Sequence, residues 1–188
     1  MNGPGGPYDV DELPEDGQLR LDVGSLLIAA PRGQQVQLGV DERTRQVHSV
    51  HVIGDQGAAE IRAFAAPRTG SRWAVVRGEL IAQAAAEGVR LTQRMGPFGV
   101  ELMHPRMVSS ASGGDDSAGE ETPPSRVIGI DGPRWLLRIT LMGRPAERPE
   151  DAADWDELIS LIGVRRGSGP MPVGAPLPLT LPTDAVEG

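Results

Sequence analysis

Residues 126–143, RVIGIDGPRWLLRITLMG, constrain the fold more than any other part of the chain. In the second half, Trp135, Leu137, Ile139 and Leu141 alternate with Leu136, Arg138, Thr140 and Met142. The first set is wholly apolar and the second mixed. Successive strand side chains point to opposite faces, so this pattern suits a strand with one face in a core. Between the halves stands Asp131-Gly132-Pro133-Arg134. Asp bonds backbone groups two residues on, Gly tolerates positive φ and Pro fixes its own φ, and each property serves a reversal. A functional reading would make Asp131 and Arg134 a site pair at a strand end. The turn chemistry explains these residues without one, and the segment is read as a hairpin of strands 126–131 and 134–143.

Similar patterns recur. Segments 25–30 (SLLIAA), 35–40 (QVQLGV), 47–53 (VHSVHVI) and 58–65 (AAEIRAFA) are short and β-leaning, with turn residues between them, and predict an antiparallel meander. A helix follows: Ser71 is its N-cap, Trp73, Val76, Leu80, Ile81 and Ala84 recur at helical spacing, and Gly88 stands where a left-handed residue ends it. Residues 89–95 and 99–104 flank a Gly-Pro-Phe-Gly turn and read as another hairpin. A second helix over roughly 149–162 carries Trp155, Leu158, Ile159 and Ile162 as one stripe, and Gly163 ends it before a last strand around Val164. Few helices among hairpin-type strands predict an α+β domain: a mostly antiparallel β-sheet covered by two tryptophan-bearing α-helices.

Three segments are too polar or too proline-rich to fold alone. They are an acidic N-terminal arm (1–18), an acidic insert within the domain (109–125) and a Pro-rich tail (167–188), leaving 19–166 as the single α+β domain. Aromatics make up only 3% of the chain, so the core must be built from Val, Leu, Ile and Ala. A net charge of −8 gives no uniform basic field for phosphate backbones, and one Tyr and two Phe leave little for base stacking. Nucleic acid is therefore not an expected partner. Cysteine is absent, which excludes disulfides, thiolate metal sites and a cysteine nucleophile. Residues 1–17 show no signal-peptide pattern, and no apolar run reaches membrane-span length, so the expected location is the cytoplasm, with no membrane partner.

Catalytic and nucleotide-binding signatures are missing: no nucleophile elbow, phosphate-binding glycine loop or metalloprotease motif occurs. His48 and His51 lie three apart in a β-patterned stretch, so their side chains are expected on opposite faces, unable to share a metal; His104 precedes Pro105 at a strand end. No metal, cofactor or catalytic residue is assigned. Glu60 and Glu101 are the carboxylates nameable on strands. Arg62, Arg134, Arg138, Arg165 and Arg166 would line one region if their strands were neighbours, and arginine's fork of donors suits carboxylates and phosphates. All 18 basic residues are arginine, however, so such positions also arise by default. In the tail, Leu177, Leu179 and Leu181 alternate between prolines, a pattern for an extended arm that docks in a groove of its own domain or of a partner. Docking on its own domain is the expectation.

The stretches GPYDVDELPEDGQLRLDVGSL, IRAFAAPRTGSRW, GPFGVEL, GIDGPRWLLR and PMPVGAPLPLTLP resemble, in this order, the actinobacterial domain-of-unknown-function family 3710. The resemblance covers almost the whole chain outside the acidic insert and implies no known activity. The order of strands and helices is also similar to the Mog1/PsbP-like α/β/α sandwich, whose members are mostly binding or assembly factors. The expected function is that of a non-enzymatic protein-binding or assembly-accessory module with an unidentified protein partner. The alternative is a small enzyme or binder acting on a phosphorylated metabolite through clustered arginines. Residues expected to contact a ligand or partner are Arg62, Arg134, Arg138, Leu177, Leu179 and Leu181.

Overall fold

A computed structural model of the chain describes residues 5–29, 33–108 and 121–182. Residues 109–120 of the acidic insert, 1–4 of the N-terminal arm and 183–188 of the tail lie outside the described residues. In chain order the strands and helices are β1 (Tyr8–Asp9), β2 (Leu21–Asp22), β3 (Leu26–Ile28), β4 (Gln35–Val40), β5 (Val47–Gly54), β6 (Gly57–Ala65), α1 (Arg72–Ala86), β7 (Thr92–Gly96), β8 (Gly99–His104), β9 (Met107–Val108), β10 (Glu121–Thr122), β11 (Ser125–Gly132), β12 (Trp135–Gly143), α2 (Arg144–Glu147), α3 (Ala153–Ser160) and β13 (Gly163–Val164).

Within the described residues, two antiparallel meanders make the main sheet: β4-β5-β6 and β7-β8-β11-β12. Pairing of β6 with β12 joins them in the order β4-β5-β6-β12-β11-β8-β7. The sheet is antiparallel throughout, and both predicted hairpins are present, with Gly132 opposite Trp135 and Gly96 opposite Gly99. The predicted first strand of the meander behaves differently. Leu26–Ile28 belongs to a second sheet, of order β1-β13-β3-β2, which lies against the inner face of the first. Leu26 and Ile28 are both buried there, between the two sheets.

The main core lies between the two sheets. Val50, Ile61, Leu137 and Ile139 of the large sheet meet Leu26 and Ile28 of the small one and Trp155, Leu158 and Ile159 of α3. On the other face, α1 sets Trp73 against Leu102 and Leu136. The two tryptophan-bearing helices therefore lie on opposite faces. Around Trp135-Leu136-Leu137 strand β12 is buried on both sides, and the alternation of buried and half-buried positions holds from Arg138 onward.

Local chemistry explains the helix ends. Ser71 accepts a hydrogen bond from Ala74 N, and Gly88 takes φ 77° after the C-cap Glu87. The second helix is not continuous over 149–162. Pro149 has no N–H to extend α2, so Pro149–Asp151 forms a 3-10 turn that inserts Ala152 into the core before α3 starts. The 131–134 turn also differs in detail. Arg134, not Gly132, adopts the left-handed conformation (φ 62°), and a Cβ at Gly132 would run into the Trp135 indole. Asp131 does not bond its own turn: it accepts from Ser71 Oγ (2.5 Å) and Trp73 N (3.0 Å), fastening the start of α1 to the hairpin.

The arms find their partners within the domain. β1 pairs parallel with β13, Tyr8 N donates to Ile162 O (2.9 Å), and Asp9 accepts from Trp135 Nε1 (3.0 Å). In the tail, Gly174 N donates to Ala65 O, Ala65 N to Ala175 O and Leu177 N to Ala63 O, beyond the point where β5 stops pairing with β6. Thr180 N then donates to Val23 O in the loop between β2 and β3. The tail thus extends one sheet and ties it to the other.

One buried charge network crosses the layers. Arg126 on β11, fully buried, makes a two-pronged pair with Glu101 on β8, and its Nη2 reaches Asp156 of α3 (3.3 Å). Burial raises the Asp156 pKa, against the lowering effect of Arg126. Removing one member of such a pair leaves a buried charge uncompensated. We expect Glu101→Ala to lower stability by about 3–5 kcal/mol in urea unfolding, with the double variant Glu101→Leu/Arg126→Met recovering most of it. For the tail, Leu177→Ala should cost about 2–5 kcal/mol. Hydrogen exchange at the Ala65 amide, whose acceptor is Ala175 O, should rise with it.

Candidate functional site

On β6 the alternation puts Glu60, Arg62 and Phe64 on the face that carries α1, and on β12 it puts Leu136, Arg138 and Thr140 there. The register sets Arg62 directly opposite Arg138, and Phe64 opposite Leu136. Both guanidinium groups turn toward one ring: Cζ lies 5.5 Å from the Phe64 centroid for Arg62 and 5.1 Å for Arg138. Helix α1 supplies the wall. Arg72, Val76, Leu80 and Gln83 recur at helical spacing along one stripe, and with Glu79, Phe64, Leu136 and Arg138 they line a half-open cavity of about 200 Å³. Gly174 of the docked tail stands at its mouth, where a Cβ would come within 3.0 Å of Arg72 Nη2.

The charges in this groove are poorly matched. Like charges directly opposite on a sheet repel. The Arg138 pKa is lowered, first by burial and then by the Arg62 charge, with Glu60 opposing. The carboxylates nearby are at the limit of ion pairing: Glu60 is 3.9 Å from Arg62 and Glu79 is 4.0 Å from Arg72. The Nε atoms of Arg62 and Arg72 are buried without a hydrogen-bond acceptor. Arg72, Arg138 and the Phe64 ring line the cavity together with the Glu79 carboxylate, and Arg62 approaches the same ring from the neighbouring groove, a setting in which an anion's oxygens would find forked donors.

Of the residues singled out in the sequence, Arg62 and Arg138 come together and Arg134 does not. It sits in the β11–β12 turn, where its carbonyl accepts from Ala66 N (2.8 Å). Arg165 is paired with Asp22 (3.0 Å), and Arg166 donates to Gly169 O (3.1 Å). Leu177 is buried in the main core, Leu179 is partly buried against it, and Leu181 is 63% exposed. Leu179 and Leu181 border a second, open groove of about 870 Å³ with Asp41, Arg45, His48 and, on its other side, Arg62. Glu60 lies beside Arg62, whereas Glu101 is held by Arg126.

The histidines correct one expectation. β5 carries an irregularity: Val40 pairs with Val47 but Gly39 with Ser49, leaving His48 as the extra residue of a bulge. The Ser49 hydroxyl lies 3.0 Å from His48 Nδ1 and 2.9 Å from His51 Nε2, so the two imidazoles reach one group rather than opposite faces. A Cβ on Gly39 would strike the Ser49 hydroxyl, and that glycine was the local signal for the bulge. His104 Nδ1 faces Pro105 O (2.9 Å). Among the described residues no group of three or more His, Cys, Asp or Glu is arranged to hold a metal ion.

Phe64, Arg72 and Gly174 escaped the sequence reading. Arg72 was visible as the polar head of the Val76–Leu80 stripe, and Phe64 as one of two phenylalanines, but their meeting depends on strand register and tail docking.

No curated protein matches the sequence. A crystal structure of a protein from Bacteroides thetaiotaomicron, at 1.50 Å resolution, matches at 12% identity and a TM-score of 0.41. The match covers 82% of this chain and 52% of that one, so the chain spans about half the length of that protein. No helix among the described residues is long and apolar enough to cross a membrane. The model of one family covers residues 6–188, and by that match the chain belongs to the family described as "Protein of unknown function (DUF3710)".

Proposed function

We propose that the protein binds a small anionic ligand, a phosphate ester or a carboxylate, in the groove lined by Arg72, Arg138 and Phe64, with Arg62 beside it across the ring. The observation that carries this reading is the direct cross-strand pairing of Arg62 with Arg138, two like charges over one aromatic ring, with the carboxylate of Glu60 only at the limit of ion pairing with Arg62 (3.9 Å). A bound anion would offset that repulsion by accepting from the Arg72 and Arg138 guanidinium groups that line the groove.

A second reading, a protein-binding or assembly-accessory module, is supported by the tail's exposed rim. Leu181 is 63% exposed beside the larger groove and Val173 is 56% exposed. A photo-crosslinking residue at position 181 that captures one defined partner from lysate, and loses it after Leu179→Glu, would favour this reading.

The anion reading is tested by NMR titration of arginine Nε–Hε resonances with glycerol 3-phosphate and succinate, using glycerol and succinamide as neutral controls. The anions should shift the Arg62, Arg72 and Arg138 signals and the neutral compounds should not. Arg138→Gln should weaken binding by at least tenfold, on the order of the 1.5–3 kcal/mol carried by a hydrogen bond to a charged group. The same variant should leave ligand-free stability unchanged or slightly higher, because it removes one of two facing like charges. Arg134→Gln should bind as the natural protein does.

A further inference from the structure

Resting on the anion-binding reading, we infer that the ligand is amphipathic: an anionic head held by the arginines and an apolar chain seated beneath α1. The groove is only half cationic. Besides Glu79 and Gln83, Phe64, Val76, Leu80 and Leu136 supply an apolar wall, and a bare phosphate would leave that surface in contact with water. Across Leu80 and Gln83 lies a second cavity of about 180 Å³, with Ala84, Leu91, Leu102 and Val127 on its apolar side. The two spaces share Leu80 and Gln83, one helical turn apart. Leu80 is half-buried and Gln83 exposed, so neither side chain is locked in a filled core.

The way α1 is held explains why space exists there. Its start is fixed: the Trp73 indole covers Gly129, Trp73 Nε1 donates to Val100 O (2.6 Å), and Asp131 takes both Ser71 Oγ and Trp73 N. Beyond that turn the buried residue of the helix is Ala84, whose short side chain leaves a gap where a larger one would close against the sheet. The head site and the second cavity lie along the same helix. Arg72 and Leu80 are about 12 Å apart along its axis at 1.5 Å per residue. Leu80 and Gln83 are all that both cavities share, so a turn of these two side chains would let the apolar end of a ligand pass from the guanidinium groups toward Leu102 and Val127.

The test is calorimetric titration of the full chain with methyl, butyl and hexyl phosphate, with hexanoate as the carboxylate arm and hexanol as the neutral control. Affinity should rise with chain length by up to about fourfold per buried methylene. Hexanol should bind far more weakly than hexyl phosphate. Ala84→Leu, which fills the second cavity without touching the first, should abolish the gain from methyl to hexyl while leaving methyl phosphate binding unchanged. Nuclear Overhauser contacts from the hexyl chain of bound ligand to the Leu91, Leu102 and Val127 methyls provide a check that needs no variant. Equal affinity for methyl and hexyl phosphate without those contacts overturns the amphipathic ligand and leaves the anion site standing. Hexanol binding as tightly as hexyl phosphate overturns the anchored orientation. Failure of every anion to bind overturns both readings. A response to hexanoate but not to the phosphates, or the reverse, supports the inference and identifies the head group.

Discussion

The pairing of β6 with β12 is the constraint on which the rest of the molecule depends. It runs from Trp135 opposite Ala65 to Gly143 opposite Gly57, and it is where the two meanders become one sheet. Its inner face contributes Ala59, Ile61, Ala63, Leu137, Ile139 and Leu141 to the main core, which holds the small sheet and α3 in place. Its outer face carries the Arg62–Arg138 and Phe64–Leu136 pairs. Strand alternation makes these two roles inseparable: a one-residue slip would bring the arginines into the core and expose the leucines. The apolar face therefore fixes the register that brings the two charges together.

Much of the local structure was legible in the sequence because it rests on short-range chemistry. The hairpins at 96–99 and 132–135, the Ser71 cap and Gly88 all follow from residues a few positions apart. What could not be read locally depended on distant partners. The segment around Leu26 has the composition of a meander strand, yet its best burial lies in a facing layer assembled with β13, 138 residues later at the Leu26–Val164 pair. The N-terminal arm reads as too polar to fold and does not fold alone; Tyr8 and Asp9 are ordered by Ile162 and Trp135.

The candidate site was half legible for the same reason. Arg62 and Arg138 could be named as arginines on strands, but Arg134 could be named equally well, and only the register separates them. The His48–Ser49–His51 grouping was concealed by a single extra residue, since strict alternation would have sent the two rings apart. Arg126 gave no local sign of being buried. It is accommodated because Glu101 and Asp156 come from two other elements, and because Gly96 leaves room where a Cβ would press on the Glu101 carboxylate.

The docked tail has a consequence for the order of assembly. Its backbone bonds to Ala63, Ala65 and Val23 span more than a hundred residues of chain, so loop-closure entropy opposes them until both sheets already exist. On a ribosome, residues 174–180 emerge after every strand they touch. Until they arrive, the end of β6 beyond β5 is an open edge with unpaired amides, the kind of surface on which chains associate wrongly. The tail would then act as a latch over an edge that stays open until it docks.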